Sequence, residues 1–208
     1  MSSRPIESKP VIGIVGGIGA GKSTAAAELV ALGCVLVDAD AIGHELLGDP
    51  QVLDRLRRRW PDGVVGPDGQ VDRKALASRV FADPAELEAL NGMLHPRIRR
   101  RMARRIADAR KDPAARGVVV DAAVLLEAGW DNLCTHLVFV SAPQEERLRR
   151  VSAERGWDPQ TWRQREKAQF SLDKKAAKCD YTIDNCFSVS RLCEQIRQLF
   201  HQICPDAS

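Results

Sequence analysis

Ten residues near the start of the chain constrain its fold more than any others: Val15-Gly16-Gly17-Ile18-Gly19-Ala20-Gly21-Lys22-Ser23-Thr24. Gly16 to Ser23 has the spacing GxxxxGK[ST]. The apolar run Val11 to Val15 precedes it and reads as a buried parallel strand. Lys22 to Leu32, rich in Ala, Glu and Leu, reads as a helix that Gly33 ends. A strand, a glycine turn and a helix are the context in which this spacing has physical meaning. Glycines let successive backbone N–H groups turn inward around an anion. The helix N-terminus adds unpaired donors and the positive end of a dipole. Lys22 supplies a point charge for β- and γ-phosphates, and Ser23 offers a hydroxyl to Mg²⁺. Gly17, Gly19, Ala20, Gly21, Lys22, Ser23 and Thr24 are therefore candidate contacts to a nucleoside triphosphate.

The rest of the chain alternates in the manner of an α/β protein. Cys34 to Val37 reads as a second strand ending on Asp38-Ala39-Asp40, which completes a βαβ unit. Gly48 to Gly69 is punctuated by Pro50, Pro61, Gly63, Gly66 and Pro67, and here strands give way to helices. Arg73 to Val80, Pro84 to Met93 and Pro96 to Arg110 read as helices, the last with proline in its first turn. Gly117 to Asp121, His136 to Val140 and Tyr181 to Ile183 read as strands. Gln144 to Arg155 and Gln160 to Lys178 read as charged helices. Ser188 caps a final helix with an apolar face of Val189, Leu192, Cys193, Ile196, Leu199 and Phe200. The expected architecture is an α/β three-layer sandwich around a five-stranded parallel sheet. Residues 11–45 and 114–208 form its core, with a helical lid at about 147–178. A helical insertion occupies 46–113, and residues 1–10 are a flexible arm.

Composition narrows the function. With 44% hydrophobic and 28% charged residues the chain is an ordinary globular protein. A net charge of +3 does not demand a nucleic-acid partner. No run is apolar enough for a membrane span, and MSSRPIESKP lacks the core of a signal peptide. A cytoplasmic location follows as an expectation. The six cysteines form no CxxC pair, so zinc is not expected and free thiols are.

Three features outside the loop carry chemistry. Asp38 and Asp40 stand at the C-terminal end of the second strand, the edge where open α/β sheets bind ligands. Either could orient a hydroxyl and take its proton, or the pair could cap a helix starting at Ala41. Asp121 ends a small apolar strand, as the Mg²⁺-holding Asp of many nucleotide-binding proteins does. The segment Arg147 to Lys178 is dense in cations, among them Arg147, Arg150, Arg155, Arg165, Lys174 and Lys175. Most are solvated helix faces, but some could close over a triphosphate and neutralise charge in phosphoryl transfer. The arginines of Pro96 to Arg110 form a wet side opposite Ile98, Met102 and Ile106. By residues alone three classes stay open: a small-molecule kinase, a nucleic-acid-binding ATPase and an ATP sensor.

From Val11 to about Phe200 the chain resembles the dephospho-CoA kinase family. The segments that carry the resemblance are GGIGAGKST, VDADAIGHELL, DGQVDRKALASRVFADPAELEALNGMLHPRI, LLEAGW and DYTIDN. The resemblance implies transfer of the γ-phosphate of ATP to the ribose 3′-hydroxyl of dephospho-CoA, with Mg²⁺ as cofactor. Asp40 is then the candidate base, with Asp38 as the alternative, and Lys22 and Arg165 join it in catalysis. Arg150, Arg155 and Asn185 fall at nucleotide positions; Asp38, Asp40, His95 and Glu127 at acceptor positions; Ser23 and Asp121 at the metal. Gln169 follows Arg165 by four residues, as in the family. The family's Pro-Leu-Leu-Phe-Glu is Ala123-Val124-Leu125-Leu126-Glu127 here, which frees a backbone N–H at Ala123 and keeps Glu127. Neither a nucleic-acid nor a membrane partner is expected, and the chain is expected to be a monomer, with an oligomer as the alternative.

Overall fold

The computed structural model describes residues 9–204. The arm expected over 1–10 lies outside the described residues as far as position 8. Lys9 and Pro10 are described: the Lys9 ammonium donates to the Asp112 carbonyl and Val118 N–H donates to the Pro10 carbonyl. The described chain divides into two compact units, one running up to Asp38 and resuming at Arg105, the other Ala39–Arg104.

In the first unit, strands β1 (Val11–Gly16), β2 (Cys34–Asp38), β3 (Gly117–Asp121), β4 (His136–Ser141) and β5 (Tyr181–Asp184) make one parallel sheet in the order β2-β3-β1-β4-β5. β1 is central and buried along its whole length, which is why its sequence is a continuous apolar run without alternation. Ile12 and Ile14 enter a cluster with Leu29, Val119, Val138, Leu192, Ile196 and Phe200. Gly13, on the other face, has no room for a side chain, since a Cβ there would lie 2.7–2.8 Å from Cys134, Leu125 and Leu137. Helix α1 (Lys22–Ala31) packs against β1, β2, β3 and the last helix, α9 (Val189–Ile203). Ser188 caps α9 by accepting from Arg191 N–H. The apolar face expected for α9 is corrected at its first position: Val189 is 62% exposed, because it precedes the turn that meets the core.

Between β4 and β5 lie α6 (Gln144–Arg155), α7 (Pro159–Lys167) and α8 (Leu172–Ala176). The single helix expected over Gln160–Lys178 is two helices. Residues 168–171 leave the helix, and the Ser171 hydroxyl caps α8 by accepting from Lys174 N–H.

The second unit holds α2 (Ala39–Leu46), α3 (Pro50–Arg59), α4 (Arg73–Ala82) and most of α5 (Pro84–Lys111). Its core is Val52, Leu56, Trp60, Val64, Leu76 and Val80, with Leu87, Leu90 and Met93 packed against it. Glu86 accepts from the buried Trp60 Nε1 at 2.6 Å and from Arg59 at 2.8 Å. α3 falls in the stretch punctuated by prolines and glycines: Asp49 caps the helix and Pro50 takes its first turn, where no N–H is needed. Two expectations are corrected here. α2 begins at Ala39 rather than Ala41, which puts Asp40 inside its first turn. The helices expected on either side of Pro96 are one continuous helix, so Pro96 and His95 are interior. Pro96 cannot donate to the Gly92 carbonyl, and Arg97 Nη1 donates to the next carbonyl, Met93, at 2.9 Å. Gly92 leaves open space where a side chain would stand.

Candidate active site

The glycine loop leaves β1 and ends at the first turn of α1. Gly19 and Gly21 have φ of 80° and 96°, a conformation that L side chains rarely adopt. Their neighbours close the same positions to any Cβ: Gly19 lies against the Arg147 carbonyl and Gly21 against the Asn185 amide. The Lys22 ammonium folds over the loop, donating to the carbonyls of Gly16 at 3.2 Å and Gly17 at 3.0 Å. Ser23 is exposed and Thr24 half-buried in the same first turn.

The loop is held from behind by side chains of α6 and the turn after β5. Arg147, only 3% exposed, donates to the carbonyls of Ala142 at 3.2 Å and Ile18 at 3.4 Å, pairs with Glu166 and lies over the Trp162 ring at 5.1 Å. Arg150 donates to the carbonyls of Gly19 at 3.5 Å and Asn185 at 3.1 Å. Asn185 donates to the Ala20 carbonyl at 2.8 Å and is buried. Arg150 and Asn185, expected to touch nucleotide, support the loop in this structure. Arg147 was hidden in a run of cations: α6 is so polar that no apolar stripe marks the face that meets the loop.

Arg155 and Arg165 meet elsewhere, over one ring. Their guanidiniums lie 5.3 and 4.4 Å from the Trp157 centroid. The Asp158 side chain caps α7 beside them; the Thr161 hydroxyl, which donates to it at 2.6 Å, and then the Thr161 and Gln160 N–H groups hold its carboxyl below the usual range.

The strand ends bring two carboxylates together. Asp38 and Asp121 are in register on adjacent parallel strands, β2 and β3, and Asp121 is also in register with Ile14 of β1. Glu127, in the turns after β3, accepts from Phe170 N–H at 2.9 Å and pairs with Lys175 at 3.0 Å. A small cavity joins Glu127 and Lys175 to the loop, lined also by Gly16, Lys22 and Ala123. Asp40, exposed in α2, and His95, half-buried in α5, belong to the helical unit. Burial holds the His95 pKa below its ordinary 6.5. Among the described residues no group of three or more His, Cys, Asp or Glu could hold a metal, and all six cysteines are free. No helix there is long and apolar enough to cross a membrane.

A parallel sheet with a phosphate loop at its central strand, a lysine in the loop and arginines on the helices beside it defines the P-loop kinases. A family model described as dephospho-CoA kinase matches residues 10–190. The dephospho-CoA kinase of Symbiobacterium thermophilum is 38% identical over 197 residues, 93% of this chain and 81% of that protein. That of Corynebacterium jeikeium is 38% identical over 187 residues, 89% of this chain and 95% of that protein. A crystal structure from Thermus thermophilus superposes with a TM-score of 0.79 at 33% identity, covering 94% of this chain and 98% of its own. The chain belongs to the dephospho-CoA kinase family.

Proposed function

We propose that this chain transfers the γ-phosphate of ATP to the 3′-hydroxyl of dephospho-CoA, with Asp40 receiving the hydroxyl proton. The observation that carries the reading is the phosphate loop with Lys22 folded across it. Lys22 and the loop amides would hold the triphosphate. The oxygen donors suit a hard cation that keeps phosphate and water ligands: Ser23 stands in the first turn of α1, and Asp38 and Asp121 are in register at the strand ends. These residues would hold Mg²⁺, which neutralises phosphate charge when bound.

Asp40 is the better base of the two carboxylates. It is exposed, whereas Asp38 sits in the sheet beside Asp121. The transition state is loose, so Asp40 needs only to orient the hydroxyl and accept its proton late. His95 and Glu127 are assigned to the acceptor, and Arg155 and Arg165 to the charge that spreads over the transferring group. Both arginines would leave Trp157 to do so.

A coupled ADP-release assay with Mg-ATP, run with and without dephospho-CoA and with CoA identified by mass, tests the reading. Acceptor-dependent ADP and CoA are expected; ADP without CoA counts against the acceptor. Asp40→Asn is expected to lower kcat about 10²–10⁴-fold while ATP still binds. Turnover near wild type would remove Asp40 from the base role.

A further inference from the structure

Three charged or polar side chains are buried among the described residues: Arg147, Asn185 and Lys175. The first two hold the phosphate loop directly. Lys175, 2% exposed in α8, has no such contact, and the reaction as described makes no use of it. A buried ammonium is costly unless it is paired and hydrogen-bonded. Lys175 is both: it lies 3.0 Å from Glu127 Oε1 and donates to Gln169 Oε1 at 2.7 Å. Glu127 Oε1 also accepts from Phe170 N–H, and Gln169 Nε2 donates to the Ala123 carbonyl at 3.3 Å. These bonds fasten the turn before α8 to the turn after β3. Leu172, which opens α8, lies against the phosphate loop: a Cβ on Gly17 would be 3.1 Å from its Cδ2.

Glu127 and Lys175 line the same small cavity as Lys22 and Gly16. A bare carboxylate in that wall would repel the phosphates that the loop is built to hold. We propose that Lys175 is a positioning residue for phosphoryl transfer: it neutralises Glu127 beside the phosphate loop and fixes both turns against it. It acts through Glu127 and touches neither nucleotide nor acceptor. The inference rests on the kinase reading of this site.

The charge argument gives a signature that packing alone does not. Lys175→Met leaves the carboxylate unbalanced and is expected to raise KM for ATP about tenfold and to lower kcat. Glu127→Gln leaves the ammonium unbalanced and is expected to move KM for ATP the other way. The double variant Lys175→Met/Glu127→Gln returns KM to near the wild-type value, and Lys175→Arg keeps both constants within about threefold. Melting temperatures are measured beside the kinetics. Unchanged kinetic constants in folded Lys175→Met, or shifts of KM in the same direction for Lys175→Met and Glu127→Gln, would overturn the proposal. Where Lys175→Met does not fold, Glu127→Gln decides: a KM for ATP that is unchanged or raised overturns it. Wild-type protein in the same assay separates the two readings. No CoA from wild type counts against the acceptor, whereas CoA from wild type with unaltered variants counts against Lys175.

Discussion

The two units of this chain are built by different means. The sheet unit is organised by long-range pairing: five parallel strands, most of them short apolar runs, with the central one buried on both faces. The helical unit, Ala39–Arg104, is organised locally. Three of its helices are started by single aspartates, Asp49 before α3, Asp72 before α4 and Asp83 before α5, each accepting backbone N–H bonds two or three residues on. Its core of six buried residues carries one polar anchor, Trp60 on Glu86. A unit held by strand register announces itself in the sequence as unbroken apolar runs. A unit held by caps and a few large side chains does not, since its prolines and aspartates resemble loop punctuation.

The largest effect expected is in the sheet unit. Gly19→Ala places a Cβ against the Arg147 carbonyl at a φ that disfavours it. It should lower kcat/KM for ATP roughly 10²–10³-fold, the scale of losing preorganised donors. The far-UV circular dichroism should stay as in wild type. An active Gly19→Ala would mean that the loop tolerates the displacement, and the contrast between a rigid and a locally built unit would weaken.

Next is Leu56→Ala in the helical core. Leu56 is fully buried, and its truncation should cost about 2–5 kcal/mol by urea denaturation. If the units are energetically separable, ADP binding survives this substitution while transfer to the acceptor is lost. Parallel loss of both activities would make them one cooperative body.

Pro96→Ala sharpens the comparison in the opposite direction. An interior proline costs a helix up to about 3 kcal/mol relative to alanine. The substitution should raise the melting temperature by restoring a donor to the Gly92 carbonyl. A lowered melting temperature would show that the proline at this position is itself required for packing.

The smallest effect is a pH dependence from His95. Its folded pKa is below 6.5 because burial disfavours the imidazolium. As pH falls through 6.5 the unfolded chain therefore binds a proton that the folded chain resists, and stability falls; above that pH the contribution is constant. His95→Asn should flatten the urea midpoint between about pH 5 and pH 7. A midpoint with the same pH dependence in the variant would assign the acid sensitivity to other groups.

The phosphate loop, all five strands and the start of α1 were legible because each is decided by local steric and periodic rules. The break at 168–171 was not legible, since the charged run reads as one helix until Ser171 captures the N–H of Lys174. Asp-Pro illustrates the limit of local rules. It opens helices at Asp49-Pro50, Asp83-Pro84 and Asp158-Pro159. At Asp112-Pro113 the same side-chain turn forms, with Ala114 N–H on the Asp112 carboxylate, but β3 follows.

By itself the sequence determined an α/β chain with a phosphate loop between β1 and α1, and it carried the family resemblance. Glycine spacing and apolar runs are local, so they can be read before anything packs. Tertiary structure decided which of the many cations support the loop. Arg147 and Lys175 look like their exposed neighbours in the chain, yet one backs the phosphate loop and the other neutralises a carboxylate in its wall. The cause is burial: a charge removed from water must find its partner, and that partner is chosen by residues far away in sequence.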